Sequence, residues 1–228
     1  MSLRTLVTDP RAFFAARQDD DSLVGPAAVV VAHTLLALAA TVVILRTVGG
    51  VVTPADAGAI VYAAGEQRVS APRDIVLSLW ATGALYFANW LAVAVVAYLV
   101  SLYYDGDGSF RRLLALVGWT FVPTLAPTAL RTVVIAAMFL DTPEFATEAA
   151  LQEWVRSELV DHPARFAAIA VRPLFTLWMV SLWVLAVEYG RDLTRRQALV
   201  AVALPAALAS LNAVGTLATA AGRALGLL

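Results

Sequence analysis

Five long apolar runs divide this chain, each near the ~20 residues a helix needs to cross a bilayer. They are Val24–Leu45, Ile75–Val100, Leu113–Leu140, Phe166–Val187 and Ala198–Ala221. The first, second and fifth carry no formal charge, the third holds Arg131, and the fourth holds Arg172 near its start. The pattern predicts an all-α fold, a polytopic transmembrane helical bundle with five spans, as a single membrane domain over residues 1–228. Pro123 and Pro127 remove backbone donors one turn apart, so the third span is expected to be bent or partly re-entrant.

The polar segments between the runs are short. In residues 1–23, Asp9-Pro10 reads as a helix start, with Asp9 as cap and Pro10 at the first helical position. That helix carries Phe13, Phe14, Arg11 and Arg17. Aromatics and arginines beside a span suit a short cytoplasmic interfacial helix, with rings in the headgroup zone and guanidinium groups reaching water. After the first run, Gly49-Gly50 breaks the chain and Thr53-Pro54 restarts it, predicting a short helix to about Ala64. In residues 141–165, Phe145, Leu151, Val155 and Leu159 recur near helical spacing among six acids and two arginines. That predicts an amphipathic helix on the outer surface. Asp105-Gly106-Asp107-Gly108-Ser109 predicts a tight turn joining the second and third spans.

Composition agrees with the membrane reading. Hydrophobic residues make up 61% of the 228 and charged ones 14%, too little polar surface to cover a water-facing globule. A net charge of −1 gives no general attraction to nucleic acid. All sixteen basic residues are arginine, which excludes lysine-dependent phosphate loops and Schiff bases, and the lack of cysteine excludes disulfides and thiolate chemistry. Arg4, Arg11, Arg17, Arg111, Arg112, Arg191, Arg195 and Arg196 crowd the short segments on one side. By the positive-inside rule that side is cytoplasmic, which expects a multi-pass cell-membrane protein with its N-terminus inside and its C-terminus outside.

Candidate chemistry is sparse. The DGDGS turn fails as a calcium loop, because the sixth and twelfth positions are Phe110 and Leu116 rather than glycine and glutamate. An aspartyl protease needs aspartates from two helices sharing a proton, whereas Asp105 and Asp107 share one turn. His33, Asn89 and Asn212 lie within spans, where polar groups are functional candidates by default, although such groups also hydrogen-bond between helices. Arg131 lies about 27 Å into the third span at 1.5 Å per residue, near the outer interface, with Arg172 at a similar level. The two either line an outer anion site or reach out to the headgroups. No metal or cofactor is called for.

Several segments together resemble the Yip family (Ypt/Rab-interacting-protein-like five-span membrane proteins) in its prokaryotic branch. Asp9-Pro10-Arg11-Ala12-Phe13-Phe14 is similar to the family's opening before the membrane. Leu23-Val24-Gly25-Pro26 is similar to its L-Y-G-P signature, with Val24 in place of the tyrosine. Gly106-Asp107-Gly108-Ser109-Phe110-Arg111-Arg112-Leu113-Leu114, then Gly118-Trp119 and Pro123, resembles its entry into the third span, and Arg195-Arg196-Gln197-Ala198 its last inner loop. The resemblance implies a protein without catalytic residues. Eukaryotic relatives bind Rab-type GTPases, for which an N-terminal tail of about 23 residues is short. The expectation is a non-enzymatic, membrane-organising or partner-binding component in the lipid bilayer, as one copy or a homo-oligomer. Arg111, Arg112, Arg195 and Arg196 are expected to touch a protein partner or anionic lipid. The alternative is a small-solute permease using the Arg131/Arg172 site.

Overall fold

The computed structural model describes residues 3–48, 59–64, 67–138, 150, 153–154 and 169–224. Two short helices, α1 (Leu3–Thr8) and α2 (Pro10–Ala15), precede the long helix α3 (Val24–Val48). A two-stranded antiparallel hairpin follows, β1 (Ala59–Ala64) with β2 (Gln67–Pro72), Ile60 opposite Ala71 and Tyr62 opposite Val69. Then come α4 (Arg73–Leu102), α5 (Phe110–Trp119), α6 (Val122–Met138), α7 (Arg172–Arg191) and α8 (Arg195–Ala224). The segment Gly83–Leu102 of α4, all of α7, and Arg195–Gly222 of α8 are each long and apolar enough to cross a membrane. The pair α5–α6 meets the same test together but is bent by 42°. In α3 the shorter segment Val24–Ala40 is apolar. The molecule is a helical membrane bundle, as its apolar runs require.

α5 is its hub. It packs against α3, α4 and α7, while α7 also holds α8, α6 and α2. Leu113, Leu116 and Val117 of α5 are essentially inaccessible and join Val30 of α3, Ala94 and Ala97 of α4, and Leu182, Trp183 and Val187 of α7 in one core. Leucines and valines on the outer faces of α4, α7 and α8, such as Leu99, Leu174 and Leu208, stay exposed. Lipid-facing positions require that arrangement.

Four expectations are altered. The break in the third apolar run falls at Thr120–Phe121, ahead of both prolines. Pro123 opens α6 and its ring is incompatible with the carbonyl of Trp119, the last residue of α5. Pro127 stays inside α6. Residues 59–64 form a strand rather than the end of a helix, because Ile60-Val61-Tyr62 are β-branched or aromatic and gain a partner strand. Third, Asp9 caps as expected, its Oδ1 accepting from the Ala12 N–H at 3.0 Å, but Phe13 and Phe14 are fully buried against protein. Phe13 meets Trp119 edge-on at 5.7 Å, and the Arg17 guanidinium covers Phe13 at 3.8 Å, a cation–π contact. The fourth run continues past Val187 to Arg191, and its start expected at Phe166 lies outside the described residues. The amphipathic helix expected over residues 141–165 falls almost wholly outside the described residues.

Candidate functional site

The turn between α4 and α5 is built around a residue that sequence reading counted only as a loop charge. Arg191, the last residue of α7, is 2% exposed. Its Nε donates to Ser101 Oγ at 2.8 Å, and its two terminal nitrogens donate to the carbonyls of Gly108 and Gly106. Ser101 in turn donates to the Tyr98 carbonyl, and the guanidinium lies 4.4 Å above the Tyr98 ring. A planar fork that cannot lose its charge suits this role, since it satisfies two turn carbonyls at once. Gly108 has φ +98°, and a Cβ there would lie 2.6 Å from the Gly190 carbonyl, so a side chain is excluded twice over. Ser109 then caps α5 by accepting from the Arg112 N–H at 3.1 Å. On the other side, Asp192 is left-handed (φ 53°) and the Leu193 N–H returns to the Glu188 carbonyl at 3.1 Å, a Schellman closure of α7. The loop is therefore held from both sides.

The four arginines singled out from sequence divide into two kinds. Arg112 turns inward, donating to the Tyr189 carbonyl, with Asp19 at 3.9 Å. Arg111 is 63% exposed and stands 3.8 Å from Asp21. Arg195 and Arg196 are exposed at the start of α8, as are Asp105 and Asp107 on the turn.

At mid-span, His33 of α3 is 1% exposed and inserts where α5 breaks from α6. Its Nε2 lies 3.0 Å from the Phe121 carbonyl oxygen and 3.0 Å from Thr124 Oγ1. A carbonyl only accepts, so Nε2 carries the hydrogen. Nδ1 lies 3.3 Å from Thr128 Oγ1, and Tyr86 of α4 stacks on the ring at 5.2 Å. One turn further, Thr132 Oγ1 reaches the Leu36 carbonyl at 3.0 Å. At the break the Phe121 carbonyl accepts from the histidine as well as from the Thr124 N–H and hydroxyl, while Thr124, Thr128 and Thr132 line the face of α6 toward α3. What this arrangement does is join three helices. Replacing His33 by leucine is expected to lower the unfolding free energy by about 1–2 kcal/mol, from interhelical bonds worth roughly 0.6–1.7 kcal/mol each, read as a fall in thermal midpoint in detergent.

Of the other polar span residues, Arg172 and Asn212 are brought together, Arg172 Nη2 donating to Asn212 Oδ1 at 3.0 Å. Arg131 is exposed on α6 without a hydrogen-bond or ion-pair partner among the described residues, and Asn89 is exposed on α4. No group of three histidine or acidic side chains converges among the described residues. Sequence reading missed Arg191, Ser101, Tyr86 and the threonines. Only the i, i+4 spacing of Thr124, Thr128 and Thr132 was visible in advance.

A bundle of apolar helices with lipid-facing outer surfaces defines a polytopic helical membrane protein. A family model, the Yip1 domain, matches residues 4–215, and the chain belongs to that family. Comparison with curated proteins gave no match, nor did comparison with solved structures. The segments that suggested the family touch each other in space. A Cβ on Gly25 would lie 2.4 Å from the Trp119 ring, and one on Gly118 would lie 2.5 Å from Pro26 Cβ. The Gly25-Pro26 entry of α3 is thus packed flush on Gly118-Trp119 at the end of α5.

Proposed function

We propose that this chain is a non-enzymatic, membrane-organising component whose inner end offers a rigid arginine-bearing face to anionic headgroups or an acidic partner. The proposal includes five spans in the cell membrane, the N-terminus cytoplasmic and the C-terminus outside. The supporting observation is the division among the inner arginines. Arg191 and Arg112 have their guanidinium groups committed to backbone carbonyls, whereas Arg111, Arg195 and Arg196 extend from the same end, exposed. A fixed loop with Arg195 and Arg196 exposed beside it, and Arg111 paired only to the exposed Asp21, makes a surface whose backbone ordering is already met before anything binds.

The test uses purified protein in nanodiscs. Arg111, Arg195 and Arg196 are changed together to glutamine, and the stabilisation conferred by phosphatidylglycerol over phosphatidylcholine is measured. Each arginine near an anionic surface contributes about 1 kcal/mol, so the variant is expected to lose most of the lipid-dependent gain in thermal midpoint. The gain should also weaken with salt in the wild type. An unchanged lipid preference would remove the proposal. The permease alternative has no observation in its favour on the described residues, with Arg172 engaged by Asn212.

A further inference from the structure

α4 buries one face and leaves the opposite one open. Trp90, Val93, Ala94 and Ala97 point into the core, while Ala81, Leu85, Ala88, Asn89, Ala92 and Leu99 are exposed. Exposed apolar side chains on a span face lipid and need no explanation. Asn89 differs. It lies inside the membrane-crossing segment Gly83–Leu102, 13 residues and so about 20 Å from its inner end at 1.5 Å per residue. It is one turn from Tyr86, which stacks on the deeply placed His33. A hydrocarbon core about 30 Å thick puts that amide inside it, some way past the midplane, and no side chain or carbonyl of the described chain hydrogen-bonds to it. The only other asparagine, Asn212, is engaged by Arg172. Lipid tails offer a carboxamide neither donor nor acceptor, so a second helix must supply them.

We propose that this face of α4 is where two copies of the chain associate, with the two Asn89 amides hydrogen-bonded to each other across a two-fold axis. An amide carries both a donor and an acceptor and is complementary to its own copy, and an isologous contact sets residue 89 against residue 89. The face carries no formal charge, so pairing brings no like charges together. Alanines at 81, 88 and 92 allow the helix backbones to approach.

The chain contains no cysteine, which makes the test clean. Ala88→Cys is introduced in the full chain, with Leu208→Cys on the exposed face of α8 as control, and each protein is oxidised mildly in phosphatidylcholine–phosphatidylglycerol vesicles over a series of protein-to-lipid ratios. Ala88→Cys is expected to give a disulfide-linked dimer whose yield falls on dilution into lipid, and Leu208→Cys is not. Adding Asn89→Leu should weaken the dimer roughly three- to thirtyfold, the factor that one interhelical hydrogen bond represents. Asn89→Gln should restore much of it. Because residue 89 is exposed, the thermal midpoint of diluted protein should stay unchanged in both variants, separating lost association from misfolding. Equal yields at the two cysteines, no crosslink at residue 88, or indifference to Asn89→Leu would overturn the proposal. So would crosslinking in native membranes to a different protein alone, which gives the face to a heterologous helix.

Discussion

Replacing Arg191 by methionine is expected to destabilise the protein by about 3 kcal/mol or more, seen as a large fall in denaturation midpoint. Methionine keeps the unbranched stem as far as the Nε position, so the loss isolates the guanidinium. Hydrogen bonds to a charged group contribute about 1.5–3 kcal/mol each, and a buried acceptor left without a partner costs about 1–3 kcal/mol. Arg191 serves Ser101, Gly106 and Gly108 together, so at least two carbonyls lose their donor in one step. These terms are not additive, and the turn can open toward water, which holds the expected loss below their sum. Lysine keeps the charge but not the fork; Arg191→Lys should recover less than half of the loss. Because the carbonyls belong to the α4–α5 turn, limited proteolysis should find new cleavage between residues 103 and 109 in Arg191→Met. A variant with wild-type midpoint and an uncut turn would mean that the guanidinium holds nothing in place.

How much of this could be read in the sequence depends on the range of the interaction involved. Spans are legible because bilayer thickness fixes the length of an apolar run. Ile75–Val100 and Ala198–Ala221 lie inside α4 and α8 with only a few residues added at each end. Local caps are legible for the same reason, as Asp9 and the glycine turn show. The two prolines foretold a bend but not its place, since a proline disturbs the turn before it. Long-range pairings carry no such mark. Arg191 meets Ser101 across 90 residues and His33 meets Phe121 across 88, and nothing near Arg191 distinguishes it from Arg195 or Arg196, which stay exposed. Counting arginines by loop therefore judged the arginine-rich end by charge alone. Packing then divided that charge into clamp and surface. Phe13 and Phe14 were misplaced by the same logic, as an amphipathic motif beside a membrane fits headgroups and a protein groove equally well.

Putting a side chain on Gly118 should be the second large effect, and valine should do more harm than alanine. Gly118 stands near the end of α5, where α3 and α4 both press against its backbone. A Cβ would lie 2.5 Å from Pro26 Cβ and 3.1 Å from Trp90 Nε1 and Cε2, and contacts under 3.0 Å cannot stand. The proline ring has no rotamer to give, so either α3 shifts or α5 does. A shift of α5 also strains the 2.8 Å bond from Trp90 Nε1 to the Leu114 carbonyl. Overpacking of this kind costs about 1–3 kcal/mol, expected near the upper end for Gly118→Ala and beyond it for Gly118→Val. Gly25→Ala meets a softer neighbour. Its Cβ would lie 2.4 Å from the Trp119 ring, a ring that can tilt but that Phe13 and Arg17 also hold. The two glycines serve one helix crossing, so their effects should be less than additive, the first substitution already prising α3 from α5. A double-mutant cycle on thermal midpoints measures this directly. Strict additivity would mean that α3 and α5 accommodate each change separately and that the Gly25-Pro26 and Gly118-Trp119 segments do not form one packed unit.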